Sequence, residues 1–275
     1  GIVGVWSHNG RPVERIVLDQ FTDSLAHRGP DGRGTLIQQE VNLGLGHRRL
    51  SILDLTKAGH QPMPYGDERY WIVFNGEIYN FVELRNRLKR SGHQFRTQSD
   101  TETIVHLYEE EGTDCFEQLN GMFSIAIWDQ RKQQLILARD RFGQKPLFYR
   151  HENGRLIFAS ELKSILAVPG IPRQVDPHAV DLYLTYQYVP HPHSILEGIS
   201  KLPPAHYAVY ENDQLTVQSY WQLEGNREVD WDPQEAEQQT VDLLRSSVQL
   251  RMQSDVPLGA FLSGGIDSSL IVALM

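Results

Sequence analysis

The sequence has 275 residues, 40% hydrophobic and 22% charged, the balance of a folded globular protein rather than a disordered or fibrous one. Its 26 basic and 35 acidic residues leave a net charge of −9, which argues against a phosphate-backbone partner and so against nucleic acid. One cysteine, Cys115, excludes an internal disulfide framework and a cysteine-rich zinc site. No apolar run approaches the roughly 20 residues that span a bilayer, and no secretory pattern is present, so no membrane partner and a cytoplasmic location are expected.

The chain starts at Gly1 rather than Met and runs to Met275 inside an apolar stretch; both ends read as cuts or processing events. Ile2 to Trp6 is a buried strand by its β-branched composition. Pro12 to His27 carries apolar residues at helical spacing, and Leu36-Ile37 and Val41 to Leu45 read as strands. Tyr70 to Phe74 is a further strand, with Asn75-Gly76 forming a turn after it. Val82 to Leu88 is a helix closed by Gly92, and Thr101 to Glu111 is a helix with Asp100 placed as its N-cap. Met122 to Trp128, Gln134 to Arg139, Pro146 to Tyr149 and Leu156 to Phe158 read as a meander. After Val168, prolines punctuate the chain; Asp181 to Tyr188 is a short helix, and Tyr207 to Tyr210 pairs with Leu215 to Gln218 across Asn212-Asp213. Gly225 to Asp232 is a polar linker, Asp232 to Ser254 a long charged helix, and Pro257 to Leu262 an apolar strand.

That last strand runs into Ser263-Gly-Gly-Ile-Asp-Ser-Ser269 and a helix start. Glycines let the backbone approach an anion, and the freed N–H groups and helix dipole favour phosphate. There is no lysine after the glycines, so this is not the Walker loop. The segment resembles the pyrophosphate loop of the N-type ATP pyrophosphatases. That resemblance implies that Ser263, Gly264, Gly265, Asp267, Ser268 and Ser269 hold pyrophosphate, with Phe261 and Leu262 near the nucleoside.

Four earlier segments carry chemistry: His27-Arg-Gly-Pro-Asp31, His47-Arg-Arg-Leu-Ser-Ile52, Asn75-Gly-Glu-Ile-Tyr-Asn80 and Ser99-Asp100. A side-chain amide beside a glycine N–H is a natural donor pair for a developing oxyanion. Arg49 can grip a carboxylate in a bidentate fork, and Glu77 and Asp100 can hold an ammonium. Together these describe an α-amino acid with a reactive side-chain carbonyl. Taken singly they have duller readings: a hairpin turn, a surface charge, a helix cap.

In this order the segments resemble the glutaminase, or class II glutamine amidotransferase, domain of the glutamine-hydrolysing asparagine synthetases. Ala159-Ser-Glu-Leu-Lys163 matches too. The fold this implies is an α+β N-terminal-nucleophile αββα sandwich, two antiparallel sheets between helices, over residues 1–224. The start of an α/β ATP-pyrophosphatase domain then occupies 232–275. The resemblance implies that Arg49 binds the glutamine carboxylate and that Glu77 and Asp100 bind its amino group. Asn75 and Gly76 would form the oxyanion hole, with backbone groups of Leu50 and Ile52 nearby and Arg28 close to the site. It implies glutamine, aspartate and ATP as substrates and Mg²⁺ beside ATP, with no metal ligand assigned in this chain; a homodimer is left open.

The family's nucleophile is a cysteine at the very N-terminus, and Gly1 offers no side chain for the role. Cys115 sits in an apolar helical context and reads as a buried core thiol. Either a cysteine precedes Gly1, or the module binds glutamine without cleaving it. The first is preferred because the clamp and oxyanion residues are all present. Two other functions stay in view, a non-catalytic glutamine-binding module and an amidotransferase with another carboxylate acceptor.

Overall fold

A computed structural model describes residues 1–225 and 232–275, so residues 226–231 of the expected linker lie outside the described residues. In chain order its elements are β1 (Ile2–Ser7), α1 (Arg15–Asp23), β2 (Gly32–Gln38), β3 (Leu43–Arg49), β4 (Met63–Tyr65), β5 (Tyr70–Ile78), α2 (Phe81–Arg90) and α3 (Asp100–Glu111). There follow α4 (Cys115–Gln118), β6 (Gly121–Asp129), β7 (Gln134–Arg139), β8 (Phe148–Glu152), β9 (Arg155–Ala159), α5 (Leu162–Ile165) and α6 (Pro177–Tyr186). The last are β10 (Ser200–Lys201), β11 (His206–Glu211), β12 (Gln214–Ser219), α7 (Pro233–Arg251) and α8 (Ile266–Leu274).

Successive strand residues face opposite sides, and here both sides are apolar. In β1, Ile2 and Trp6 enter one core layer while Val3 and Val5 enter another. In β6, Ala126 and Trp128 share the layer of Ile2, while Phe123, Ile125 and Ile127 face a third. The strands accordingly form two six-stranded antiparallel sheets, β10-β8-β9-β1-β3-β2 and β12-β11-β7-β6-β5-β4. The layer between them is closed by Trp6 and Trp128, packed edge to face with centroids 4.6 Å apart. Helices α2 and α3 cover the outer face of the second sheet, and α1 and α5 that of the first. This is the αββα sandwich.

Helix α1 and the residues leading into it pack closely on β3 because the positions that face them, Gly44 and Gly46, are glycines. A Cβ on Gly46 would lie 2.1 Å from Thr22 Oγ1, and one on Gly44 would lie 2.7 Å from Val13 Cγ1.

Several local expectations change. Asn75 and Gly76 form no turn; β5 continues to Ile78, because Asn75, Gly76 and Glu77 pair with Ser124, Phe123 and Met122 of β6. The N-cap of α3 is Ser99, whose hydroxyl accepts from the Thr101 N–H at 3.1 Å, and Asp100 is the first helical residue. The expected meander is split, with β6 and β7 in one sheet and β8 and β9 in the other. The helix read from Pro12 shortens to α1, followed by a 3₁₀ turn at Ala26–Arg28. Pro257 to Leu262 is not a strand, since no described residue pairs with it and a strand exists only within a ladder. No helix among the described residues is long and apolar enough to cross a membrane.

Candidate active site

The polar site grows out of the layer between the sheets. Along β3 the same face carries Leu43, Leu45, His47 and Arg49; along β5 it carries Val73, Asn75 and Glu77. Both strands change from apolar to polar at the same end of the sandwich. There they open a cavity of ≈ 230 Å³, also bordered by Gly1, Arg28, Asp100 and Lys145.

The head of β1 is tied down at this mouth. The Gly1 nitrogen donates to Arg48 O at 2.6 Å, and the Ile2 N–H donates to Ser160 Oγ at 2.9 Å. Burial first, then Arg28 and Lys145, push an amine at Gly1 from 8.0 down to about 5, so a free amine at this point is neutral at pH 7. Arg28 is held by Glu161 at 3.0 Å, and Glu161 also meets His27 and Lys163. The Ser160-Glu161 pair of the Ala159–Lys163 motif thus fixes the head of β1 and orients a cation.

His47 Nε2 lies 3.1 Å from the Phe74 carbonyl, which can only accept, so Nε2 carries the proton. Burial holds this imidazole well below its ordinary 6.5, and it bridges the two sheets in its neutral form. Gln61 links β5 to α3, accepting from the Phe74 N–H at 2.6 Å and donating to Thr101 Oγ1 at 3.2 Å.

Arg49 is clamped by the loop that follows it. It donates to Leu53 O at 3.0 Å, Asp54 O at 2.5 Å and Thr56 O at 3.1 Å. A guanidinium has five N–H donors. Those not spent on the loop remain for a ligand, and the loop's Leu50 and Ile52 also line the cavity.

On β5 the backbone aims a donor at the cavity. In an antiparallel strand, alternate N–H groups point to opposite edges. The Phe74 and Ile78 N–H groups point away from β6, to Gln61 Oε1 and to Asp100 Oδ2 at 2.9 Å. Gly76 lies between them, so its N–H points the same way, into the cavity. A Cβ at Gly76 would lie 2.1 Å from Met122 O and 2.7 Å from Phe123 Cα, so only glycine fits this approach of β6. Asn75 Nδ2 is buried and has no hydrogen-bond partner among the described residues.

The two carboxyls stand close enough to affect each other. Glu77 rises from 4.5 to about 6, through burial first and then Asp100, with Lys145 and Arg251 opposing. Asp100 rises from 3.8 to about 6 through burial, against the hydrogen bonds it accepts from the Ile78 and Thr101 N–H groups. Arg49 enters the cavity from the end of β3, Glu77 from β5 and Asp100 from the start of α3.

Sequence reasoning missed Lys145, Gln61 and a role for His47. The signal for Lys145 is Asp140, buried and accepting backbone N–H bonds from Phe123, Phe142, Gln144 and Lys145 at 2.9–3.1 Å. One carboxylate shapes the loop that carries the lysine. Cys115 is fully buried, with its thiol pushed up by burial.

Residues 261–269, expected to hold pyrophosphate, do not line this cavity. Gly264 has φ +82°, Gly265 caps α8, Ser263 Oγ meets Ser268 Oγ at 2.8 Å, and Ser269 Oγ donates to Gly265 O at 2.8 Å. Asp267 is in the first turn of α8; Leu262 is exposed and Phe261 is 102% exposed.

Residues 1–221 match the glutamine amidotransferase domain family, and residues 239–275 match the asparagine synthase family. Asparagine synthetase [glutamine-hydrolyzing] 1 of Bacillus subtilis (strain 168) is 38% identical, covering 100% of this chain and 43% of that protein. Putative asparagine synthetase [glutamine-hydrolyzing] 2 of Methanocaldococcus jannaschii is 37% identical, covering 97% of this chain and 55% of that protein. The chain spans about half the length of the curated relatives it matches. Among solved structures, the glutamine phosphoribosylpyrophosphate amidotransferase from B. subtilis superposes with TM-score 0.59 at 16% identity, over 99% of this chain and 63% of that one, a likeness of fold. With the sandwich, its polar mouth and the match over residues 1–221 in hand, the chain belongs to the glutamine amidotransferase domain family.

Proposed function

We propose that this chain is the glutamine-hydrolysing portion of a glutamine-dependent asparagine synthetase. The observation that carries the reading is one cavity lined by Arg49, Glu77 and Asp100, with an unpartnered amide on Asn75. Arg49 binds the α-carboxylate of glutamine, with Leu50 and Ile52 backbone groups alongside, and Glu77 and Asp100 bind its ammonium. A cysteine expected immediately ahead of Gly1 attacks the side-chain amide carbon as its thiolate. The oxyanion takes hydrogen bonds from Asn75 Nδ2 and the Gly76 N–H. The C–N bond breaks as a proton reaches the nitrogen, ammonia leaves, and water hydrolyses the thioester to glutamate. The cysteine's own α-amino group serves as base.

Residues 1–224 form the glutaminase unit in this reading, and 232–275 open the synthetase unit. The donor set of the second unit suits a polyphosphate: a glycine at positive φ, three serine hydroxyls and the N–H groups opening α8. Ser263, Gly264, Gly265, Asp267, Ser268 and Ser269 would hold ATP by its pyrophosphate, with Phe261 and Leu262 toward the nucleoside. Bound ATP supplies the activation of an aspartate carboxylate; Mg²⁺ would accompany it, with no ligand assigned to this chain. A cytoplasmic location belongs to the same reading.

The test uses the full-length protein. Ammonia release from glutamine, and formation of asparagine and AMP from glutamine, aspartate and ATP, are the expected results. Glutamine binding without ammonia release would overturn hydrolysis and favour a binding module. AMP formation with another carboxylic acid but not aspartate would overturn the acceptor.

A further inference from the structure

The end of α7 and the segment after it contact Tyr79, just beyond the Glu77 strand, and the Ile52 loop that lines the glutamine cavity. On one side, Arg251 stacks on the Tyr79 ring with its guanidinium carbon 4.5 Å from the centroid, and Gln253 Nε2 donates to Tyr79 O at 3.2 Å. Tyr79 lies two residues beyond Glu77. On the other side, the Asp255 N–H donates to Ile52 O at 3.0 Å, while Asp255 Oδ2 accepts from the Asp54 N–H at 2.7 Å. These two bonds bracket Leu53, in the loop whose carbonyls hold Arg49. Asp54 has φ +53°, the left-handed region that few residue types other than glycine, asparagine and aspartate adopt. Its carboxylate accepts from the Thr56 and Gln98 N–H groups at 3.1 and 2.9 Å. Its N–H depends on Asp255.

We infer that Asp255 is a positioning residue for glutamine binding, setting the Ile52–Thr56 loop and through it the Arg49 guanidinium. Asp255 touches no glutamine itself. It lies two residues before Pro257, in the stretch that leads to the Ser263–Ser269 loop. The glutamine site is therefore braced by the chain that opens the second unit, and its geometry depends on that chain being seated. The inference rests on the glutamine-binding reading of Arg49.

The test is steady-state glutamine hydrolysis by the full-length protein, with ammonia-supported amidation measured in parallel. Asp255→Ala removes the acceptor for the Asp54 N–H and should raise KM for glutamine about tenfold, with kcat within about twofold. Asp255→Asn keeps an acceptor oxygen and should return KM to within about threefold of wild type. Ammonia-supported activity should stay unchanged in both variants, because it bypasses the glutamine site. An unchanged KM in Asp255→Ala, an Asn variant as impaired as the Ala variant, or a parallel loss of ammonia-supported activity would overturn the inference. Calorimetric glutamine binding separates it from the functional reading. A wild type that binds glutamine without releasing ammonia refutes hydrolysis, and the ratio of variant to wild-type Kd still decides the role of Asp255.

Discussion

Glu77 and Asp100 should make glutamine binding and folding respond to pH in opposite directions. Both carboxyls titrate near about 6 in the empty site, against ordinary values of 4.5 and 3.8. An ammonium ligand needs them ionised. Lowering the pH from 8 to 5 should therefore weaken glutamine binding by roughly tenfold for each carboxyl that must lose its proton. Folding runs the other way. A carboxyl whose pKa is raised on folding binds its proton more tightly in the folded state, so its stabilising effect is present at low pH and lost as pH rises through about 6. For Asp100 the full effect is about 3 kcal/mol below its unfolded pKa, and about 1 kcal/mol is already regained at pH 5. Glu77 is partly open to solvent and adds less. The assay is glutamine titration calorimetry at pH 8 and pH 5, alongside urea unfolding of the wild type and Asp100→Asn at both values. Comparison with the variant isolates Asp100 from groups that titrate elsewhere. The Asn variant should gain on the wild type by about 1 kcal/mol on going from pH 5 to pH 8, while binding glutamine poorly at both. Glutamine affinity flat across this range, with an unchanged stability gap, would refute the assignment of two proton-linked carboxyls.

Two further outcomes follow from single side chains. Asn75→Ala removes the unpartnered donor and should lower kcat for glutamine hydrolysis by about 10²-fold with KM little changed; a KM effect alone would mean that Asn75 serves binding. Asp140→Ala strands the N–H groups of Phe123, Phe142, Gln144 and Lys145 and should cost roughly 3 kcal/mol or more in urea unfolding. A loss under about 1 kcal/mol would show that water replaces the carboxylate.

Much of this molecule is legible along the chain because its information is local. Continuous apolar, β-branched runs mark β1, β6 and β7 as buried strands, and the order of Arg49, Asn75-Gly76-Glu77 and Asp100 names the ligand chemistry. Where the reading of elements failed, a distant partner decided. Asn75-Gly76 has turn chemistry, yet β6, some 47 residues along, pairs with it and keeps the strand straight. Ser99 and Asp100 are equally good caps by composition. The Ile78 N–H claims the Asp100 carboxylate, so the serine caps. Pro257 to Leu262 has strand composition, but no neighbouring ladder is present among the described residues to make it one.

The sequence by itself determined which side chains are available and in what order: a guanidinium, two carboxyls, an amide beside a glycine, and a single cysteine unsuited to catalysis. Only the tertiary structure decided that the polar ends of β3 and β5 open into one cavity, that the Gly76 N–H points into it, and that both carboxyls are raised to about 6. It also decided that a residue 201 positions from Asp54 braces the Arg49 loop. The physical reason is that residue type and periodicity act over a few residues. Strand pairing, burial and the direction of an N–H group are set by chain that folds back from far away.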